Sequence, residues 1–119
     1  MARRILIVDD EAYIRDALRL WMIECGFEVD TAADGQAAVE KCLQTDYDII
    51  AMDLEMPRMN GLDAIVAIRQ SRPDIPILVL TGLPRDYEEV LALGATKVLS
   101  KPVRLRDLET EVRQALAPV

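Results

Sequence analysis

The chain has 119 residues and a mass of 13.3 kDa, enough for one domain with its own core. Apolar residues make up 51% and charged residues 29%, a balance that excludes a disordered, collagen-like or disulfide-framed chain. A net charge of −7 argues against direct reading of nucleic acid, and the absence of histidine excludes histidine-based nucleophile activation and histidine-ligated metal. No apolar run approaches the roughly 20 residues of a membrane helix. Met1-Ala2-Arg3-Arg4 leads straight into an apolar run with no small-residue cleavage site behind it, so no signal peptide is read and a cytoplasmic location is expected. Cys25 and Cys42 form no metal-spaced cluster and read as buried small apolar residues in a reducing compartment.

In chain order, Ile5-Leu6-Ile7-Val8 is an unbroken, β-branched-rich run of the kind covered on both faces in a parallel sheet. A helix is expected over 11–25, with Ile14, Ala17, Leu18, Trp21 and Cys25 at helical spacing and Gly26 as its stop. Phe27-Glu28-Val29-Asp30 alternates, which suits an edge strand with one wet face. A helix over 35–45 carries Ala38, Val39 and Cys42, and a second covered strand follows at Ile49-Ile50-Ala51-Met52. A third helix over 61–71 carries Leu62, Ile65, Val66 and Ile68 and ends before Arg72-Pro73. Ile77-Leu78-Val79-Leu80 is the third covered strand. The fourth helix, 84–93, starts at Pro84 and stops at Gly94. Lys97-Val98-Leu99-Ser100 is short and polar at both ends, which fits the opposite edge. The last helix, 103–116, carries Leu105, Leu108, Val112 and Leu116.

Five strand–helix units in alternation specify an α/β fold with a parallel sheet covered by helices on both faces. With the second and fifth strands at the edges, the expected order is 2-1-3-4-5, a single doubly wound (βα)5 flavodoxin-like domain over 1–119. Ligands in such sheets bind beyond the carboxyl ends of the strands. Those ends hold Asp9-Asp10-Glu11 after strand 1, Asp53-Leu54-Glu55 after strand 3, Thr81-Gly82 after strand 4 and Lys101-Pro102 after strand 5. Each alone is as well read as a helix cap, a loop acid or a turn; together they fall at one rim of one sheet.

Two unit charges about 4 Å apart repel by about 4 kcal/mol at an effective dielectric near 20, so Asp9, Asp10 and Asp53 together call for a cation. Oxygen-only ligands without histidine or thiol select a hard ion, Mg2+ before Zn2+. Thr81 supplies a hydroxyl and Lys101 a point charge suited to phosphate, which completes a phosphoryl-transfer set. No residue stands out as a general base, which points to Asp53 as a carboxylate nucleophile that becomes an aspartyl-phosphate.

The motifs Ile7-Val8-Asp9-Asp10-Glu11, Met52-Asp53-Leu54-Glu55-Met56-Pro57-Arg58-Met59-Asn60-Gly61, Thr81-Gly82, and Gly94-Ala95 followed by Lys101-Pro102 closely resemble the receiver domain of two-component response regulators, the CheY-like family. The resemblance spans essentially the whole chain. It implies that Asp53 is the phosphoacceptor, charged by a histidine kinase or histidine phosphotransfer protein. It further implies that Asp9, Asp10, Asp53 and the main-chain carbonyl of Glu55 hold Mg2+, that Thr81 moves to bond the phosphoryl oxygen, and that Lys101 neutralises its charge. A cis Lys101–Pro102 bond, a loop shaped by Pro57 and Gly61, and partner docking on helix 1 are also implied. The read-out face would comprise residues 84–116, with Arg85, Tyr87, Glu88, Glu89, Arg104 and Arg106 on it, opening onto a downstream target or a phosphorylation-dependent dimer. The chain ends just after the fifth helix, which leaves both a stand-alone regulator and a domain of a longer protein open. One position departs from the family pattern: the switch residue three before the lysine is usually aromatic and here is Val98, and position 103 is also valine. Three other functions compete. A phosphatase with an aspartate nucleophile would want an aspartate where Glu55 stands and a cap domain or room for a substrate pocket; a flavodoxin-like cofactor module would want a glycine- and hydroxyl-rich loop after strand 1; a phosphate-independent pseudo-receiver would lack an acid or the lysine.

Overall fold

The β-branched runs at 5–8, 49–52 and 77–80 become the three central strands, because only a sheet covered on both sides can bury every residue of such a run. The structure, a computed structural model, describes residues 2–54, 61–82 and 87–117. Its elements are β1 (Arg4–Val8), α1 (Ala12–Glu24), β2 (Glu28–Ala32), α2 (Gly35–Gln44), β3 (Ile49–Asp53), α3 (Gly61–Ser71), β4 (Ile77–Thr81), α4 (Tyr87–Leu93), β5 (Lys97–Ser100) and α5 (Leu105–Leu116). All strand pairs are parallel and the order is β2-β1-β3-β4-β5, as expected.

Strand side chains alternate between two cores. Leu6, Val8, Ile50, Met52, Ile77 and Val79 face α2, α3 and α4, where they meet Ala38, Cys42, Ile65, Ile68 and Val90. Ile5, Ile7, Ile49, Ala51, Leu78 and Leu80 face α1 and α5, where they meet Leu18, Met22, Leu108 and Val112. The edge strands are wetter: Glu28 is exposed on β2, as are Lys97 and Ser100 on β5.

Helix ends follow local chemistry. Asp34 caps α2 by accepting from the Ala37 N–H at 2.8 Å. Gly26, at φ 97°, ends α1: its N–H donates to the Ile23 carbonyl, and Phe27 N–H to that of Met22. Gly94, at φ 126°, ends α4 in the same way. Both are Schellman closures, in which a left-handed residue is cheapest as glycine.

The α1 stripe is rotated from the expected one. Met22 is fully buried beside Leu18, whereas Ile14 and Ala17 are exposed and Trp21 and Cys25 are only partly covered. Helix α1 is apolar around much of its circumference, so spacing fits more than one stripe, and the sheet selects the Leu18–Met22 side. Cys25 is therefore half-buried and not a core residue; Cys42 is buried as expected, and both are free thiols. Val66, expected in the α3 core, is 40% exposed, and Ala64 takes the buried position. Strand β2 begins after Phe27, whose ring is buried while its N–H closes α1, and it continues to Ala32. Helices α1 and α5 begin later than expected, at Ala12 and Leu105; Pro84 lies outside the described residues. The expected consequence is that Met22→Ala costs about 2–5 kcal/mol in urea unfolding while Ile14→Ala stays within about 1 kcal/mol. Equal costs would contradict this phasing of α1.

Candidate functional site

Each central strand delivers a polar residue at its carboxyl end. Asp9 follows β1, and its N–H continues the ladder by donating to the Ala32 carbonyl at 3.1 Å. Its Oδ1 accepts from the Glu11 N–H at 2.9 Å, and its carbonyl accepts from Arg15 Nη1 at 2.8 Å. Asp53 is the last residue of β3 and Thr81 the last of β4, where it registers with Ser100. Asp9 is 5% exposed, Asp53 4% and Thr81 0%, so three polar groups sit inside the rim; Asp10 is exposed at its mouth.

One carboxylate oxygen from each of Asp9, Asp10 and Asp53 lies within 4.8 Å of the others. At that spacing each ionised pair repels by about 3–4 kcal/mol at an effective dielectric near 20. Burial pushes the Asp9 carboxyl above the ordinary aspartate value; the Glu11 N–H opposes this, the Asp53 charge adds to it, Lys101 opposes it and Asp10 adds to it. The cluster therefore favours a bound positive charge. Lys101 supplies one, with Nζ 2.7 Å from Asp53 Oδ1. Its own N–H donates to the Thr81 carbonyl at 2.9 Å, which ties the residue after β5 to the end of β4, and the Lys101–Pro102 bond is cis. An acid trio of oxygen donors, with a lysine on one of its members, suits a hard divalent cation and a phosphoryl group together.

Thus Asp9, Asp10, Asp53 and Lys101 come together and Thr81 lies at the same rim. Glu55, Pro57 and Arg85 lie outside the described residues. Gly61 packs so closely on the chain after Asp53 that an added Cβ would stand 2.8 Å from the Leu54 Cα. Val98 pairs with Val79 and packs partly buried against the α2–α4 core. On the read-out side Glu88, Glu89, Arg104 and Arg106 are exposed and Tyr87 is half-buried.

Two features were not read from the sequence. One is Arg15, whose reach back to Asp9 has no signature in residue spacing. The other is an apolar cleft of about 470 Å³ between α1 and the segment after β5, lined by Tyr13, Ile14, Leu80, Val103 and Leu105, with Asp9 and Lys101 at its edge. The apolar excess of α1 was its signal: of the residues it lends to the cleft, Tyr13 is 85% exposed and Ile14 36%.

Comparison with known proteins agrees with this geometry. The family model for the response regulator receiver domain matches residues 5–113. The transcriptional regulatory protein PhoP of Bacillus subtilis, which bears on alkaline phosphatase synthesis, is 33% identical over 118 residues, 98% of this chain and 49% of its own length. This chain thus spans about half the length of the curated relatives it matches. The chemotaxis protein CheY4 of Vibrio cholerae superposes with a TM-score of 0.92 at 34% identity, covering 98% of this chain and 100% of that one. The response regulator TrrA of Thermotoga maritima, in complex with Mg2+-BeF, superposes with a TM-score of 0.87 at 33% identity, covering 96% and 99%. The chain belongs to the response regulator receiver domain family.

Proposed function

We propose that this chain is a phosphorylation-controlled switch of a two-component system, with residues 1–119 forming one receiver domain. The observation that carries the reading is the convergence of Asp9, Asp10 and Asp53 within 4.8 Å, with Lys101 bonded to Asp53. In this reading Asp53 Oδ attacks the phosphorus of a phosphohistidine on a histidine kinase or histidine phosphotransfer protein. The new O–P bond forms as the N–P bond breaks, and the imidazole leaves to take a proton from water. Asp9, Asp10, Asp53 and, by the family pattern, the Glu55 carbonyl would hold Mg2+. When bound, Mg2+ supplies positive charge that offsets both the acids and the incoming phosphoryl group.

Lys101 then exchanges the Asp53 carboxylate for a phosphoryl oxygen, and Thr81 donates to another. Phosphorylation turns one negative charge into nearly two, with strong acceptors, and the switch shifts by as much as Thr81 and Lys101 prefer that form. The shift reaches α4, β5 and α5, and through them a downstream target, a fused output domain or a phosphorylation-dependent dimer. Val98 cannot swing a ring, so side-chain exchange at that position is not the route, and movement of α4 itself carries the signal. The apolar cleft and the exposed Tyr13, Leu20 and Ile23 of α1 suit docking of the phosphodonor beside Asp53. The chain catalyses only its own phosphorylation and dephosphorylation, in the cytoplasm; among the described residues no helix is long and apolar enough to cross a membrane. Retention of the acids, the lysine and the hydroxyl disfavours a pseudo-receiver. An acid trio where a phosphate loop would sit disfavours a cofactor module.

Incubation with acetyl phosphate and Mg2+ tests the reading. One base-labile phosphoryl group per chain supports it, whereas sustained turnover of phosphate esters would identify a phosphatase. Asp10→Ala removes the exposed acid of the trio, and Mg2+ affinity is expected to fall at least about tenfold, a loss of about 1.4 kcal/mol or more. An unchanged calorimetric isotherm would contradict the metal assignment.

A further inference from the structure

We propose that Arg15 is a positioning residue for the metal-binding acids: its hydrogen bond to the Asp9 carbonyl holds the end of β1 so that Asp9 and Asp10 face Asp53. The inference rests on the reading of Asp9, Asp10 and Asp53 as the cation site. Three hydrogen bonds fix Asp9 among the described residues. Its N–H donates to the Ala32 carbonyl at 3.1 Å, its Oδ1 accepts from the Glu11 N–H at 2.9 Å, and its carbonyl accepts from Arg15 Nη1 at 2.8 Å. The first comes from the sheet, and the other two cross the short turn into α1. Only the third is made by another residue's side chain.

That turn lacks the usual lock. Glu11 stands at the N-cap of α1 and makes no side-chain cap hydrogen bond. The entry of α1 is set instead by Asp9 itself and by Arg15, whose N–H already binds the Glu11 carbonyl at 2.9 Å. Arg15 therefore anchors its main chain in the first turn of α1 and its guanidinium on the carbonyl that joins Asp9 to Asp10. A charge-assisted hydrogen bond to a partly buried carbonyl is among the stronger single contacts available. Asp9, Asp10 and Asp53 repel one another, so freeing the strand end lets them relax apart, and a cation must then regather them.

A direct charge effect would have the opposite sign. An arginine beside a cation site repels the cation, so its removal would tighten binding. The guanidinium binds the Asp9 main-chain carbonyl, with Nη1 at 2.8 Å. Its influence on the site runs through the main chain.

The test is calorimetric Mg2+ titration of the full chain, well below each variant's Tm, for wild type, Asp10→Ala, Arg15→Met and Arg15→Lys. Loss of a contact that orients a ligand typically weakens metal binding 10–100-fold, and Arg15→Met is expected near the lower end, about tenfold. Arg15→Lys keeps a charged donor on a long stem and is expected to recover most of that loss. Phosphorylation by acetyl phosphate should be slowed in Arg15→Met at low Mg2+ and restored at saturating Mg2+, a pattern that a loss of stability alone does not produce. Arg15→Gln keeps a polar helix surface without the guanidinium, and it is expected to show the same loss if Arg15→Met does not fold. Mg2+ affinity in the Met or Gln variant equal to or tighter than wild type overturns the role of Arg15. Absence of saturable Mg2+ binding in wild type, or unchanged binding in Asp10→Ala, overturns the site reading instead.

Discussion

Asp53→Asn is expected to reduce phosphoryl incorporation from acetyl phosphate to below detection while raising the thermal stability of the protein. The two effects have one cause. An amide has almost the shape of a carboxylate and keeps its place at the end of β3, but its oxygen is a poor nucleophile and cannot carry an acyl phosphate. The same change removes one member of a trio whose oxygens lie within 4.8 Å of one another, and so removes two repulsive pairs from a buried rim. It also removes the charge that pairs with Lys101 at 2.7 Å, which opposes the gain. With no divalent cation present, the crowding of the acids is expected to outweigh that pairing and to leave a net stabilisation. Intact-protein mass spectrometry reads the first effect and differential scanning fluorimetry in chelator reads the second. Labelling at the wild-type rate would move the nucleophile to another acid of the rim. Lost labelling with a lower Tm would mean that the Lys101 pair outweighs the crowding of the acids.

The topology was legible because the three covered strands have compositions that no solvent-facing element could carry. Ile5-Leu6-Ile7-Val8 buries alternate residues in two different cores, and the helices that cover them are separated by turns of recognisable chemistry, such as Gly26 and Gly94. The site was legible for a related reason. In a parallel sheet the strand ends converge, so the acids after strands 1 and 3, the hydroxyl of strand 4 and the lysine after strand 5 become neighbours once the order is known. What escaped the sequence was orientation. The α1 stripe centred on Leu18 and Met22 competes with a second apolar stripe through Tyr13, Ile14 and Ala17 that fits the 3.6-residue period equally well, and only the position of the sheet decides between them. Arg15 was invisible because a side chain that turns back to a main-chain carbonyl leaves no pattern of spacing. Cys25 was assigned to the core by residue type, whereas its place at the end of α1 leaves it half-covered.

Removing the charge of Asp9 should have a pH-dependent effect that Mg2+ reverses. The Asp9 carboxyl is held above its ordinary value of 3.8, first by burial, with the Asp53 and Asp10 charges adding to it against the Glu11 N–H and Lys101. The folded protein thus binds this proton more tightly than the unfolded chain. The associated stability is fully present below 3.8 and is lost as pH rises through the raised folded value. At neutral pH without divalent cation, ionised Asp9 is therefore a net cost of about 1.4 kcal/mol for each unit by which its pKa is raised. Asp9→Asn keeps an acceptor for the Glu11 N–H and never ionises. Its Tm in chelator should exceed that of wild type at pH 7, by roughly 4 °C per kcal/mol in a domain of this size, and the difference should shrink as pH falls toward 3.8. Mg2+ at about 100 times its Kd should then stabilise wild type by about 2.7 kcal/mol and the variant far less, which inverts their order. The inversion separates a cation site from a merely crowded rim: crowding alone predicts that Asp9→Asn stays the more stable protein at every Mg2+ concentration.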